Sequence, residues 1–242
     1  MLKVFQNELE HLINEFKKLD SKISIIFFSS IILFTVSWYF STPKFFKQNL
    51  EYYFTPVNTD IYAYGFWFLF DTVLFLVIPI LIIKFIFKEP AETYGLKFNI
   101  KLNGIVVVLF TLIIFLPVII LISSSENFVK YFPLMQSAKN DLSTFVIYEL
   151  VFILFIFSWE FIFRGFLLFG LEEKFGVYSI FIQMIPFVIL HNGKPFLETF
   201  ASIFGGIFLG YLALRYRTII YGFLIHSSIL VILDLISFIK NL

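Results

Sequence analysis

Glu160 and Arg164 stand four residues apart in the run Ser158-Trp159-Glu160-Phe161-Ile162-Phe163-Arg164-Gly165, within a stretch otherwise apolar enough for a membrane helix. Ionisable groups at bilayer depth are costly, so they face a protein interior and mark functional sites. Two further polar outliers follow. His191 closes an apolar run that starts at Gly176, and His226 lies inside another. The chain has only three histidines, so two of them in apolar runs carry weight. A carboxylate and imidazoles in a dry cavity can activate water and then stabilise the oxyanion formed at a peptide carbonyl. A divalent metal such as zinc could share that work. None of the compact zinc signatures such as HExxH is present. Proton-coupled transport uses the same residue types, with the site opening to each side in turn.

These residues must be positioned by membrane helices. Apolar spans run over about 23–40, 61–87, 104–122, 143–169, 176–191, 199–214 and 218–238. About 20 residues cross the hydrocarbon, so the fifth and sixth are marginal. Before them, Phe5, Leu9, Leu12, Phe16 and Leu19 recur at helical spacing among Glu and Lys. That pattern predicts an amphipathic helix on the membrane surface or packed on the bundle. The expectation is an all-α polytopic membrane bundle of about seven transmembrane helices. It divides into an amphipathic segment (1–22), N-terminal membrane helices (23–142) and a core that carries the site (143–242).

Composition agrees. Hydrophobic residues make up 60% and charged residues 14%, and the mean hydropathy is +0.92, which excludes an ordinary soluble domain. No cysteine is present, so there is no disulfide, thiolate metal site or cysteine nucleophile. A net charge of +1 offers no basic face for nucleic acid. The expected surroundings are the lipid bilayer and a peptide or protein substrate. Lys3, Lys17, Lys18, Lys22, Lys84, Lys88, Lys97, Lys101, Lys174, Arg215 and Arg217 fall on one side of the seven-span arrangement. Lys44, Lys47, Lys130, Lys139, Lys194 and Lys240 fall on the other. The bias predicts a cytoplasmic N-terminus, with the plasma membrane as the expected location.

Spacing also predicts which polar residues meet. Glu149, Glu160 and Arg164 fall on one helical face, three turns and then one turn apart. If the fourth and fifth spans form a hairpin turning at Gly176, Glu160 and His191 sit at nearly the same depth. Pro186 and the run Asn192-Gly193-Lys194-Pro195 place His191 near a helix end beside a cavity. Gly206 and Gly210 are in GxxxG spacing and read as a packing face. His226 and Asp234, two turns apart, can share a cavity but not one hydrogen bond. Glu149, Asp71 and Asp234 read as helix-contact or interfacial residues, and Glu172 and Glu173 as a solvated helix end. A buried ion pair at i, i+4 is the plainer account of Glu160 with Arg164.

Over about residues 145–238 the chain resembles the CPBP (Abi) family of intramembrane proteases, whose relatives include type II CAAX prenyl endopeptidases. The family pattern is EExxxR, then FxxxH, then HxxxN or HxxxD, on successive membrane helices. Here it reads Trp159-Glu160 to Arg164, Phe187 to His191, and His226 to Leu230. The resemblance implies intramembrane peptide hydrolysis with Glu160, Arg164, His191 and His226 as the catalytic set. Glu160 would be base or supporting carboxylate, Arg164 its orienting partner, His191 a water activator or metal ligand, and His226 the oxyanion stabiliser. Trp159, Glu198 and Asp234 would lie on the substrate.

Two departures stand out. Trp159 replaces the family's first glutamate, the usual water activator, and indole has no accessible lone pair. Leu230 replaces the amide or carboxylate that closes the third motif. Either Glu160 takes the base role by a small rotation, or Glu198 supplies a carboxylate from the next segment, or the protein does not cleave peptides. Asp234 could likewise replace the missing third-motif acceptor. The alternative function is a catalytically silent member that binds a membrane peptide, protein or lipid as an immunity or assembly factor. A small proton-coupled transporter would call for inverted repeats, and the sequence shows none.

Overall fold

The protein is described from a computed structural model, over residues 1–54, 59–125 and 128–241. Parts of the loops at 41–60 and 123–142 lie outside those residues. The described chain is helical, with no strand beyond a single isolated bridge between Asn192 and Lys194.

An N-terminal helix α1 (Leu2–Phe16) is followed by α2 (Ser21–Phe40), whose start is capped by Asp20 accepting from the Ile23 amide. Then come α3 (Thr59–Phe87), α4 (Leu102–Ser123), α5 (Leu142–Phe175), α6 (Tyr178–Ile189), α7 (Phe196–Tyr216) and α8 (Ile220–Asn241). All of these but α1 and α6 are long and apolar enough to cross a membrane. The six long spans and the shorter α6 fall where the seven apolar runs were expected. The Phe5, Leu9, Leu12 and Phe16 face of α1 is bare of protein, as suits a helix lying on a membrane surface.

Burial identifies the organising element. In its most apolar window α5 is 56% buried, whereas α4 is 17% buried, so α5 runs through the middle and α4 faces lipid. α3 packs along the first half of α5, α6 along its second half, and α8 against α4, α5 and α7. Phe68 on α3 meets Tyr148, Phe152 and Phe155 on α5 at ring separations of 5.1–5.8 Å. Such contacts explain the use of so much phenylalanine between helices.

Immediately after Glu160 the helix widens to π geometry from Phe161 to Phe169, and all nine of those residues are buried. Widened turns of this kind recur at functional sites. The chain then reverses at Gly176, whose φ of +54° suits a residue without a Cβ. α6 and α7 approach closely through the predicted glycines. A Cβ on Gly206 would lie 2.9 Å from Met184 Cγ, and one on Gly210 would lie 3.1 Å from the Gln183 amide nitrogen. Gln183 in turn donates to the Gly206 carbonyl at 2.9 Å, fixing the register of the pair.

Candidate functional site

The hairpin formed by α5 and α6 brings the first two motifs together. Phe187 on α6 lies under the Arg164 guanidinium, whose central carbon is 4.0 Å from the ring centroid. Trp159 and His191 have ring centroids 6.1 Å apart. α8 supplies the third motif, with His226 facing Glu160 across the helix interface.

Glu160 and Arg164 are both fully buried. Oε1 of Glu160 accepts from Arg164 Nη1 at 3.2 Å and lies 2.7 Å from His226 Nδ1. A carboxylate held by a guanidinium is an acceptor, so His226 carries its proton on Nδ1. In the neutral ring Nε2 then carries the lone pair. His191 is fixed in the same sense, because its Nδ1 lies 2.7 Å from the Phe187 carbonyl, which can only accept. Thr199 ties down the backbone there by donating to the His191 carbonyl at 2.9 Å. In their neutral forms the two imidazoles are thus each held to one tautomer, His191 by α6 and His226 by α5.

Both histidines line a cavity of about 240 Å³. Its walls come from the far end of α2, the middle of α3 and α5, the segment after α6, and α8, so it lies toward the end of the bundle away from the start of α2. Glu160 and Arg164 do not line it. They sit behind His226. The Glu160 Oε2 atom and the Arg164 Nε and Nη2 atoms have no hydrogen-bond partner among the described residues.

The remaining sequence candidates are dispersed. Trp159 lines the cavity, and its indole N–H is buried with no partner among the described residues. Glu198 does not line it; its Oε1 accepts from Lys194 Nζ at 2.5 Å, and Lys194 does line it. Asp234 lies away from the cavity, where it accepts from the Tyr148 hydroxyl at 3.2 Å and sits beside Glu149. Glu149 therefore belongs to that second acidic pair rather than to the Glu160 face.

The cavity also contains residues not expected at the site. Asp71 and Trp67 enter from α3, and Trp38 from α2. Asp71 could have been found by the argument that singled out Glu160, since it too is ionisable inside an apolar span.

Among the described residues, no three side chains of the His, Cys, Asp and Glu types gather as a metal site. His191 and His226 are the two imidazoles on the cavity, one protein ligand short of the three that a catalytic zinc site holds.

A family model described as type II CAAX prenyl endopeptidase Rce1-like matches residues 141–232, a stretch that starts at the foot of α5 and ends within α8. All three motifs fall inside it, and the resemblance read from them is supported over that stretch. No curated protein and no solved structure matches the chain.

Proposed function

We propose that the protein hydrolyses a peptide bond at this cavity. The observation that carries the reading is the pair of imidazoles with fixed tautomers that open on one cavity, inside the stretch that matches a family of endopeptidases. A water molecule has two hydrogens, and the two Nε2 atoms offer it two acceptors. Held that way, the water keeps an oxygen lone pair free for a peptide carbonyl carbon.

His226 is the base in this scheme. As the water oxygen attacks, its proton passes to His226 Nε2, and the Glu160 carboxylate stabilises the imidazolium that results. Arg164 pairs with Glu160 and orients it within the apolar bundle. The tetrahedral oxyanion takes a hydrogen bond from the unpartnered Trp159 indole N–H, a donor at the position where the family has a carboxylate. The proton on His226 then moves to the departing amine as the C–N bond breaks. Glu160 acts through His226, which removes the need for a carboxylate at residue 159.

One observation favours a second reading, that of a binding protein without turnover. The family's first glutamate is replaced by Trp159, and the remaining one is enclosed by Arg164 and His226 away from the cavity. Such a protein would hold a membrane peptide, protein or lipid.

Cleavage of a quenched, membrane-anchored peptide library by the purified chain decides between the two. Under the peptidase reading, wild type turns over, His226→Ala loses at least ~100-fold, as expected for removing a general base, His191→Ala loses turnover because the water is left with one acceptor, and a chelator changes nothing. Absence of turnover from well-folded wild type across the library would leave the binding protein as the reading.

A further inference from the structure

The three tryptophans of the chain, Trp38, Trp67 and Trp159, all line the same cavity. Tyr131, Phe152 and Phe155 extend the aromatic wall, with the Phe155 ring 5.8 Å from Trp67 and 5.6 Å from Trp159. One carboxylate enters that wall. Asp71 is 1% exposed, its Oδ2 accepts from the Trp67 indole N–H at 2.9 Å, and its Oδ1 is buried with no hydrogen bond of good geometry from any described residue.

The peptidase scheme does not use Asp71. The Ser37 and Ser41 hydroxyls are close enough to act on it as neutral donors, which bring no counter-charge, and no lysine or arginine among the described residues lies beside it. Lys194 lines the cavity as well, but its ammonium is taken by Glu198 at 2.5 Å. An ionised carboxylate without a counter-charge is costly in an apolar interior, and a cationic ligand removes that cost. The faces of tryptophan rings attract the same kind of ligand. A hydrocarbon ligand would find the aromatic wall but gain nothing from Asp71.

We propose that the cavity binds an alkylammonium group, the side-chain ammonium of a lysine in the bound peptide. Asp71 Oδ1 takes the charge, and the aromatic rings take the methylene stem. At about 240 Å³ the space is smaller than the ~300–1,000 Å³ typical of small-molecule pockets and suits one side chain. His191 and His226 lie on the same cavity, so the lysine would sit within a residue or two of the bond that is cut. That the lysine belongs to a peptide rests on the peptidase reading, while the ammonium site itself does not.

Because every tryptophan of the chain is in the wall, intrinsic tryptophan fluorescence reports occupancy directly. The full chain in detergent is titrated with N-acetyl-lysine methylamide, with the norleucine analogue that lacks the ammonium, and with choline. The lysine compound should give a saturable change at a concentration at least tenfold lower than the norleucine compound. Asp71→Asn should erase that difference, and Asp71→Glu should retain it. Equal responses to lysine and norleucine in wild type, a comparison that needs no variant, would overturn the ammonium site. So would an unchanged preference in Asp71→Asn. Choline binding tenfold tighter than the lysine compound would overturn the peptide assignment and point to a lipid headgroup. A wild type that prefers lysine but cleaves no peptide supports the ammonium site while defeating the peptidase reading, so the two failures are separable.

Discussion

His226 Nδ1 lies 2.7 Å from Glu160 Oε1, a contact between residues 66 positions apart that ties α8 to α5. The carboxylate oxygen that meets the histidine is the one that accepts from Arg164. Charge on Glu160 therefore orders the bundle and sets the proton on His226 through the same atom.

Stability and activity should separate when this triad is altered. Arg164→Leu leaves a buried carboxylate with one partner fewer and should cost about 3–5 kcal/mol, as breaking one side of a buried ion pair does. Glu160→Met combined with Arg164→Leu removes both charges, and its stability should return to near that of wild type. Activity should not return with it, because His226 has lost the group that fixes its tautomer. Thermal unfolding in detergent, measured beside peptide cleavage on the same preparations, checks both halves. A double variant as unstable as Arg164→Leu alone would show that the pair is not the source of the loss.

Gly222 offers a finer probe of the same contact. A Cβ built there would lie 3.2 Å from Glu160 Oε2, closer than ordinary van der Waals contact. Glu160 has little room to give way, since Arg164 and His226 hold its other oxygen. Gly222→Ala should therefore lower cleavage by at least ~10-fold with little loss of stability, in line with the sensitivity of catalysis to displacements of an ångström or less. Gly205→Ala, where nothing lies within 4 Å of the added carbon, is the matched control and should behave as wild type.

Much of this arrangement was legible in the sequence, for physical reasons. A bilayer demands long apolar runs, so the spans appeared with nearly the right ends. The depth match of Glu160 and His191 followed from one break at Gly176. Less legible was whatever depends on which helix lies beside which. Glu149 shares a predicted face with Glu160, yet α8 places Asp234 beside it, and the two acidic residues form a separate pair. The π-helical stretch after Glu160 left no trace, because every residue from Phe161 to Phe169 except Arg164 and Gly165 is large and apolar. Asp71 and Trp67 were unread as site residues because their part in the cavity comes from packing between α3 and α5, far apart in the chain.

At the other end of the bundle an ionic clip should give stability a measurable dependence on pH. Lys22 Nζ lies 2.8 Å from Glu89 Oε1, and the Tyr94 hydroxyl donates to Glu89 Oε2 at 2.7 Å. Burial raises the Glu89 pKa, but the hydrogen bonds from Lys22 and Tyr94 and the charge on Lys22 outweigh it and hold the carboxyl below its ordinary value of 4.5. A folded-state pKa below the unfolded one means that the stabilisation is complete above the ordinary value and is lost as pH falls through the lowered one. Unfolding temperature should therefore drop as pH falls below the ordinary value of 4.5. In Glu89→Gln that part of the drop should be missing. An identical pH profile in the variant would assign the acid sensitivity to other carboxyls.

The cavity should open on the membrane face opposite the N-terminus, and the absence of cysteine makes this simple to test. Lys22 and Glu89 meet at the start of α2, whereas Ser41, Asn192 and Lys194 reach the cavity from the far ends of the helices. In the orientation that the lysine and arginine bias predicts, the N-terminus is cytoplasmic. Asn192→Cys should then react with a membrane-impermeant maleimide added to intact cells, while Lys97→Cys should react only after the membrane is opened. The reverse pattern would put the cavity on the cytoplasmic face and would change where its peptide comes from. Protection of Asn192→Cys by a lysine-containing peptide, with none from its norleucine counterpart, would connect the orientation to the ligand in one experiment.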